Sequence, residues 1–288
     1  MLVCLGWGMS VIMGKYAVAD LGAPPLFFAM LRTLLVAATL SRFLWPLPAM
    51  PGRVFLATMM LGGGSFALLF IGLQTASASS ASIVTLSAAP LTVLFAIFFL
   101  GERVGWWRGL GMALTLGGVG VVVADPSGMQ ASTGLFYVGG SALVGALGSV
   151  MLKQLVDTPA VTLQAWAGVS GTILLLPLSL LLEQHQISAT MAGGWALLGC
   201  IAFSGLIVSV LGHTTYYALL QKYDANLIAP LTLMTPVFTI LLGIVLMGEK
   251  ATPGLAVGGL LAMLGVAITV IRPSRVLPKW LLLHNPVD

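Results

Sequence analysis

Two cations lie inside long apolar runs, Lys15 and Arg32. An ionisable group at membrane depth is expensive and marks a functional site by default, and a carboxylate-bearing ligand is one partner for either cation. Each also has a structural reading. Lys15, about one turn from the end of its run, can snorkel to the interface; Arg32 can bond backbone carbonyls or cap a neighbouring helix. His213 precedes Tyr216 and Tyr217 by three and four positions, so all three project from one side of a helix. They form either a polar wall of a cavity or, for His213, a bond to a neighbouring helix. Trp7 and Trp166, the latter beside Gln164, offer an aromatic face to a ring-bearing ligand, although single tryptophans also favour the lipid interface. Ser82 sits in a run with Ser79, Ser80, Thr85 and Ser87, which either lets helices approach closely or lines a polar path.

The same inventory lacks the pieces of an enzyme. Cys4 and Cys200 lie in apolar stretches without metal-site spacing or a disulfide framework. No nucleophile and base are paired at membrane depth, and no phosphate-cradling Walker pattern is present. No catalysis, cofactor or metal is expected, and no nucleic-acid partner, because the basic residues are scattered singly.

These residues must be positioned in lipid. Of 288 residues 59% are hydrophobic and 7% charged, against about 25% charged in an ordinary soluble chain, and the mean hydropathy is +1.07. Apolar runs of about 20 residues recur along the whole length, and lipid admits only helices or closed barrels. The alternating pattern of about 10 residues that marks a barrel strand is missing. Breaks between runs predict helices near 2–19, 25–45, 54–73, 80–100, 104–124, 133–153, 160–182, 193–221, 226–247 and 253–271. The first run mimics a signal peptide at Ala17-Val18-Ala19, but it has no basic leader and Lys15 interrupts it.

Lys and Arg gather in alternate loops. With both termini in the cytoplasm, Arg42, Arg53, Arg103, Arg108, Lys153, Lys222, Arg272, Arg275 and Lys279 fall on the inner side and Lys250 alone outside. The count of spans is therefore even. A repeat then divides the chain. Pro90-LTVLFAIFFL-Gly101-Glu102-Arg103 matches Pro236-VFTILLGIVLM-Gly248-Glu249-Lys250, and each trio precedes a glycine-rich helix. Five spans per half invert the second half, giving repeats at 1–125 and 132–271 and a cytoplasmic tail at 272–288. Inverted repeats recur in secondary transporters, with the substrate at the midplane between them. Pro90 and Pro236 interrupt equivalent helices and are the expected bending points.

Trp7-Gly8-x-Ser10 and Lys15 in the first helix, Arg32 in a proline-led second helix and the paired Gly-Glu-Arg/Lys trios resemble the drug/metabolite transporter superfamily, of the type with two tandem EamA domains. The resemblance covers essentially the whole chain. It implies an all-α integral membrane protein of ten helices in the bacterial inner membrane that exports small metabolites, often amino acids. The composition is similar to that of exporters of aromatic and other hydrophobic amino acids. The residues expected at the cavity are Trp7, Ser10, Lys15, Ser82, Trp166, His213 and Tyr217. Beyond substrate and lipid bilayer no partner is expected, with the chain a monomer or weak homodimer. All eight acidic residues fall in loops, termini or helix ends, so no buried carboxylate is available to couple an ion. The expected mode is facilitated export; a proton-coupled antiporter and a broad drug or metabolite efflux protein are the alternatives.

Overall fold

The computed structural model describes residues 1–102, 104–125, 132–155, 158–216, 219 and 229–270. Tyr217, Lys222, Asn226 and the tail at 272–288 lie outside these. Among the described residues the chain is all helical. Eight helices are long and apolar enough to cross a membrane: α1 (Leu2–Asp20), α3 (Pro51–Leu73), α4 (Ala78–Leu100), α5 (Trp106–Val123), α6 (Thr133–Leu152), α7 (Ala160–Leu182), α8 (Gln186–Tyr216) and α10 (Pro253–Val270). Two shorter apolar helices are α2 (Pro25–Thr39) and α9 (Leu231–Met247).

Three expected boundaries shift. The second helix stops at Thr39, not 45, with a 3-10 turn at Ser41–Leu44; Thr39 Oγ1 bonds back to the Leu35 carbonyl at 2.8 Å, and Trp45 precedes a proline that disfavours helix. The eighth helix begins at Gln186 instead of 193. Its first turns looked like loop because they are polar, but Gln186 Nε2 ties them to the Ser179 and Glu183 carbonyls at 2.9 and 3.0 Å. A kink follows at Gly194, φ 51°. The fourth helix is interrupted after Thr85 and resumes at Ala88. Pro90 is the third residue of the resumed segment, and Pro236 is likewise third after the 3-10 turn Ala229–Leu233. In a first turn the missing N–H forfeits no intrahelical bond.

The helices pair in a definite pattern. α1 packs on α8 and α9, α6 on α3 and α4, α2 on α7 and α8, α3 on α7, α4 on α9, and α5 on α10. The α5–α10 contact is the most extensive, and glycines face each other along it. A Cβ on Gly118 would stand 2.5 Å from the Gly258 carbonyl oxygen, and one on Gly265 the same distance from that of Gly111. Small residues let membrane helices approach where no hydrophobic force drives them together.

The Gly-Glu trios are helix stops. Gly101 and Gly248 both take φ 64°, the left-handed conformation glycine adopts freely, and the next N–H bonds back to Ala96 or Gly243 O at 3.3 and 3.1 Å. The stop after α9 throws Glu249 under α4, where its two oxygens accept from the Ala78 and Ser79 amides at 2.6 and 3.0 Å. Gly243 leaves the space, since a Cβ there would lie 2.6 Å from Glu249 Oε2. At the end of α7, Glu183 accepts from the Leu26 and Phe27 amides of α2 at 2.7 and 2.9 Å. A carboxylate at a helix N-terminus satisfies orphan donors and meets the positive end of the dipole. Around these clasps lies the largest apolar cluster, including Ala17, Val18, Phe28, Phe70, Leu73, Ala76, Val84, Val138, Leu175 and Leu197. It closes one end of the bundle. At the opposite end Glu102 pairs with Lys153 at 3.2 Å, both about half exposed.

Two outcomes follow, both read by thermal unfolding in detergent. Gly118→Ala destabilises by about 1–3 kcal/mol through overpacking, whereas Gly117→Ala, with nothing within 4 Å of the added carbon, is neutral or stabilising by up to about 1 kcal/mol. Glu249→Ala destabilises by about 1–2 kcal/mol, Glu249→Gln by less, and Glu102→Ala hardly at all because its pair is solvated.

Candidate functional site

Beneath the closed end, α1, α2, α3, α8 and α9 surround a cavity of about 200 Å³ lined by Trp7, Ser10, Arg32, Phe66, Phe70, Val208, His213 and Thr235 among others. A second space of about 200 Å³ shares Phe66 and His213 in its wall and continues between α3, α6 and α7, past Thr58, Gly62, Ser65, Gln164 and Ala167. Leu152, Leu163, Gln164, Ala167 and His213 come from the halves of their helices away from the seal, and the α3 residues from near its middle. Phe66 and His213 thus stand at the junction of two compartments.

Arg32 is near the middle of α2, seven residues from either end and so about 10 Å deep. It is 3% exposed. Its guanidinium lies over the Phe66 ring, 3.9 Å from the centroid, and Nε donates to Ser209 Oγ at 3.0 Å. Ser209 passes its own proton to the Ser204 carbonyl at 2.9 Å. That five-residue step belongs to a π-helical stretch, Phe203–His213, which rotates the α8 wall out of the 3.6-residue register. His213 Nδ1 is 3.0 Å from the Val208 oxygen, again five residues back. A second π-helical stretch, Met59–Gly64 in α3, borders the other compartment. Such bulges are common at functional sites.

Trp7 closes the wall opposite. Its ring meets His213 at 5.3 Å and the edge of Tyr216 at 5.1 Å. The Trp7 indole N–H and the Thr235 hydroxyl are buried without a hydrogen-bond partner among the described residues.

The sequence-derived candidates separate into groups. Trp7, Ser10 and His213 line the cavity together. Trp166 is beside it: its ring packs edge-on against Phe55 at 6.5 Å within a small cluster at the end away from the seal. Lys15 and Ser82 are not in the walls. Lys15 Nζ reaches the Gln74 carbonyl at 3.4 Å near the sealed end, and Ser82 donates to the Ser79 carbonyl at 2.7 Å inside its own helix. Tyr217 lies outside the described residues. Pro90 and Pro236 are buried at their helix breaks. Phe66 and Ser209 went unnoticed because a phenylalanine and a serine in an apolar run carry no distinguishing signal.

The arrangement has the elements of a solute pocket, a mostly apolar hollow with a few convergent polar groups. A family model settles the class, for the EamA-like transporter family matches residues 1–124 and again 132–271. The chain belongs to that family. Relatives of this EamA-like chain include a "Probable amino-acid metabolite efflux pump" of Salmonella typhimurium, 29% identical over 94% of this chain and 93% of its own length. One of the same description in Escherichia coli is 28% identical with the same coverage. A "Probable terminal-alkyne amino-acid exporter" of Streptantibioticus cattleyicolor is 28% identical over 66% of this chain and 63% of its own. A solved crystal structure, 20% identical, superposes on 92% of the chain and 94% of its own with a TM-score of 0.60, which establishes likeness of fold. The EamA-like chain is thus a multi-pass membrane transporter, and the two enterobacterial relatives carry the name of efflux pumps.

Proposed function

We propose that the chain exports small metabolites, foremost amino acids with aromatic or other hydrophobic side chains, across the bacterial inner membrane by alternating access. It acts as a facilitator. The observation that carries this reading is the buried aromatic and polar cavity, closed at one end by the apolar cluster and its glutamate clasps.

All ten helices, the two short ones included, are read as spans, in inverted halves at 1–125 and 132–271 with both termini cytoplasmic. Helix pairing supports this. Adding five to each member turns α1–α9 into α6–α4, α1–α8 into α6–α3 and α2–α8 into α7–α3, while α2–α7, α4–α9 and α5–α10 map onto themselves. A two-fold relation between the halves has this consequence. The sealed end then faces outward, and transport requires the seal to part while the opposite end closes, with the breaks at Pro90 and Pro236 as hinges.

Trp7, Ser10 and His213 contact the substrate in this reading, and Lys15 acts at the seal. Facilitation is favoured because the acidic side chains described lie at helix ends and, among the described residues, none lines the cavity. Radiolabelled phenylalanine flux in proteoliposomes tests the proposal. Uptake proceeds without an imposed pH gradient, and Trp7→Ala lowers it by up to about tenfold, the worth of an aromatic contact. Trp166→Ala has a smaller effect. A strict requirement for the gradient contradicts facilitation and identifies a proton antiporter.

A further inference from the structure

We propose that Arg32 anchors a carboxylate of the transported molecule, so that the carboxylate is obligatory for binding and the amino group dispensable. This deepens the transport reading above and rests on it.

The guanidinium is the one fixed charge in the cavity walls among the described residues, and it is 97% removed from solvent contact, being 3% exposed. Its ion-pair geometry is unfilled: no Asp or Glu among the described residues comes within salt-bridge distance of it. The two groups that hold it use the wrong atoms to neutralise it. Phe66 takes one face of the plane, which leaves the in-plane N–H groups free, and Ser209 takes Nε alone. No hydrogen bond from either Nη group occurs among the described residues. An arginine held by its face and its Nε presents the Nη donors in a fixed fork, the shape that receives a carboxylate side-on.

The neighbouring polar groups point to the same chemistry. The Trp7 indole N–H donates only, and it is buried without an acceptor among the described residues. The Thr235 hydroxyl is likewise unpartnered among them. A pocket rich in unfilled donors accepts a ligand rich in lone pairs. A ligand ammonium, by contrast, meets no carboxylate among the described residues there, so acylating that amine removes no ionic contact with them.

The test is equilibrium binding of three probes to the full chain in detergent: phenylalanine, N-acetylphenylalanine and phenylalaninamide. Both carboxylates are expected to bind at least about tenfold more tightly than the amide, as charge-assisted hydrogen bonds imply, with the acetylated probe no weaker than the free amino acid. Arg32→Gln brings the carboxylate-to-amide ratio close to one, and Arg32→Lys keeps part of it. The ratio within one variant does not depend on the folded fraction, and Ser209→Ala and Thr235→Val, which keep the cation, lower it less and serve if Arg32→Gln does not fold. Equal binding of carboxylates and amide to the wild-type chain, no binding of either carboxylate, or an unchanged ratio in Arg32→Gln overturns the proposal. Flux of the same probes in liposomes reports separately on transport: a chain that moves amide and carboxylates alike is a transporter without this anchor.

Discussion

The clasp between a carboxylate at the end of one helix and the bare N-terminus of another governs how this bundle closes. Helix ends carry donors that lipid cannot satisfy. α2 and α4 begin at the sealed end with amides that meet Glu183 and Glu249, each from a helix that follows more than 150 residues later. The apolar cluster fills the space between these clasps. The seal is therefore polar where backbone ends and apolar elsewhere, and the cavity is what remains below it.

The interior is arranged so that charge, stacking and irregular backbone meet at one depth. The π-helical stretch of α8 carries Ser209 and His213 to the two sides on which they are needed, one beneath Arg32 and one against Trp7. Glycine pairs hold α5 to α10 away from this region, and direct hydroxyl contacts such as Thr58 with Ser170 and Ser65 with Ser141, both at 3.0 Å, bind α3 to its neighbours. A tightly packed flank beside a clasped end is the division of labour that the proposed alternating access requires.

Much of this was legible in the sequence. Apolar run length located the helices, and the Gly-Glu trios were visible as a repeat; family membership agrees with the residues that suggested it. The function of the glutamates was not legible, because a clasp joins Glu249 to Ala78 across the fold and neither position signals the other. Lys15 drew attention as an intramembrane charge yet reaches a loop carbonyl at the seal. Arg32, weighed beside it on the same grounds, proved to be the one in the cavity. Periodicity failed at α8, where π-turns shift the register and polar first turns disguised the helix start. Phe66 shows the limit most plainly: its importance comes from standing under a guanidinium, a relation only the folded chain creates.

In the proposed export cycle the sealed end is a gate. Ala76, fully buried within the seal, provides the reporter: Ala76→Cys in a chain lacking Cys4 and Cys200, labelled in intact cells with a membrane-impermeant maleimide. Labelling is predicted to be slow at rest and to accelerate both during substrate efflux and in the Glu249→Ala background. Efflux that proceeds with labelling unchanged would contradict it.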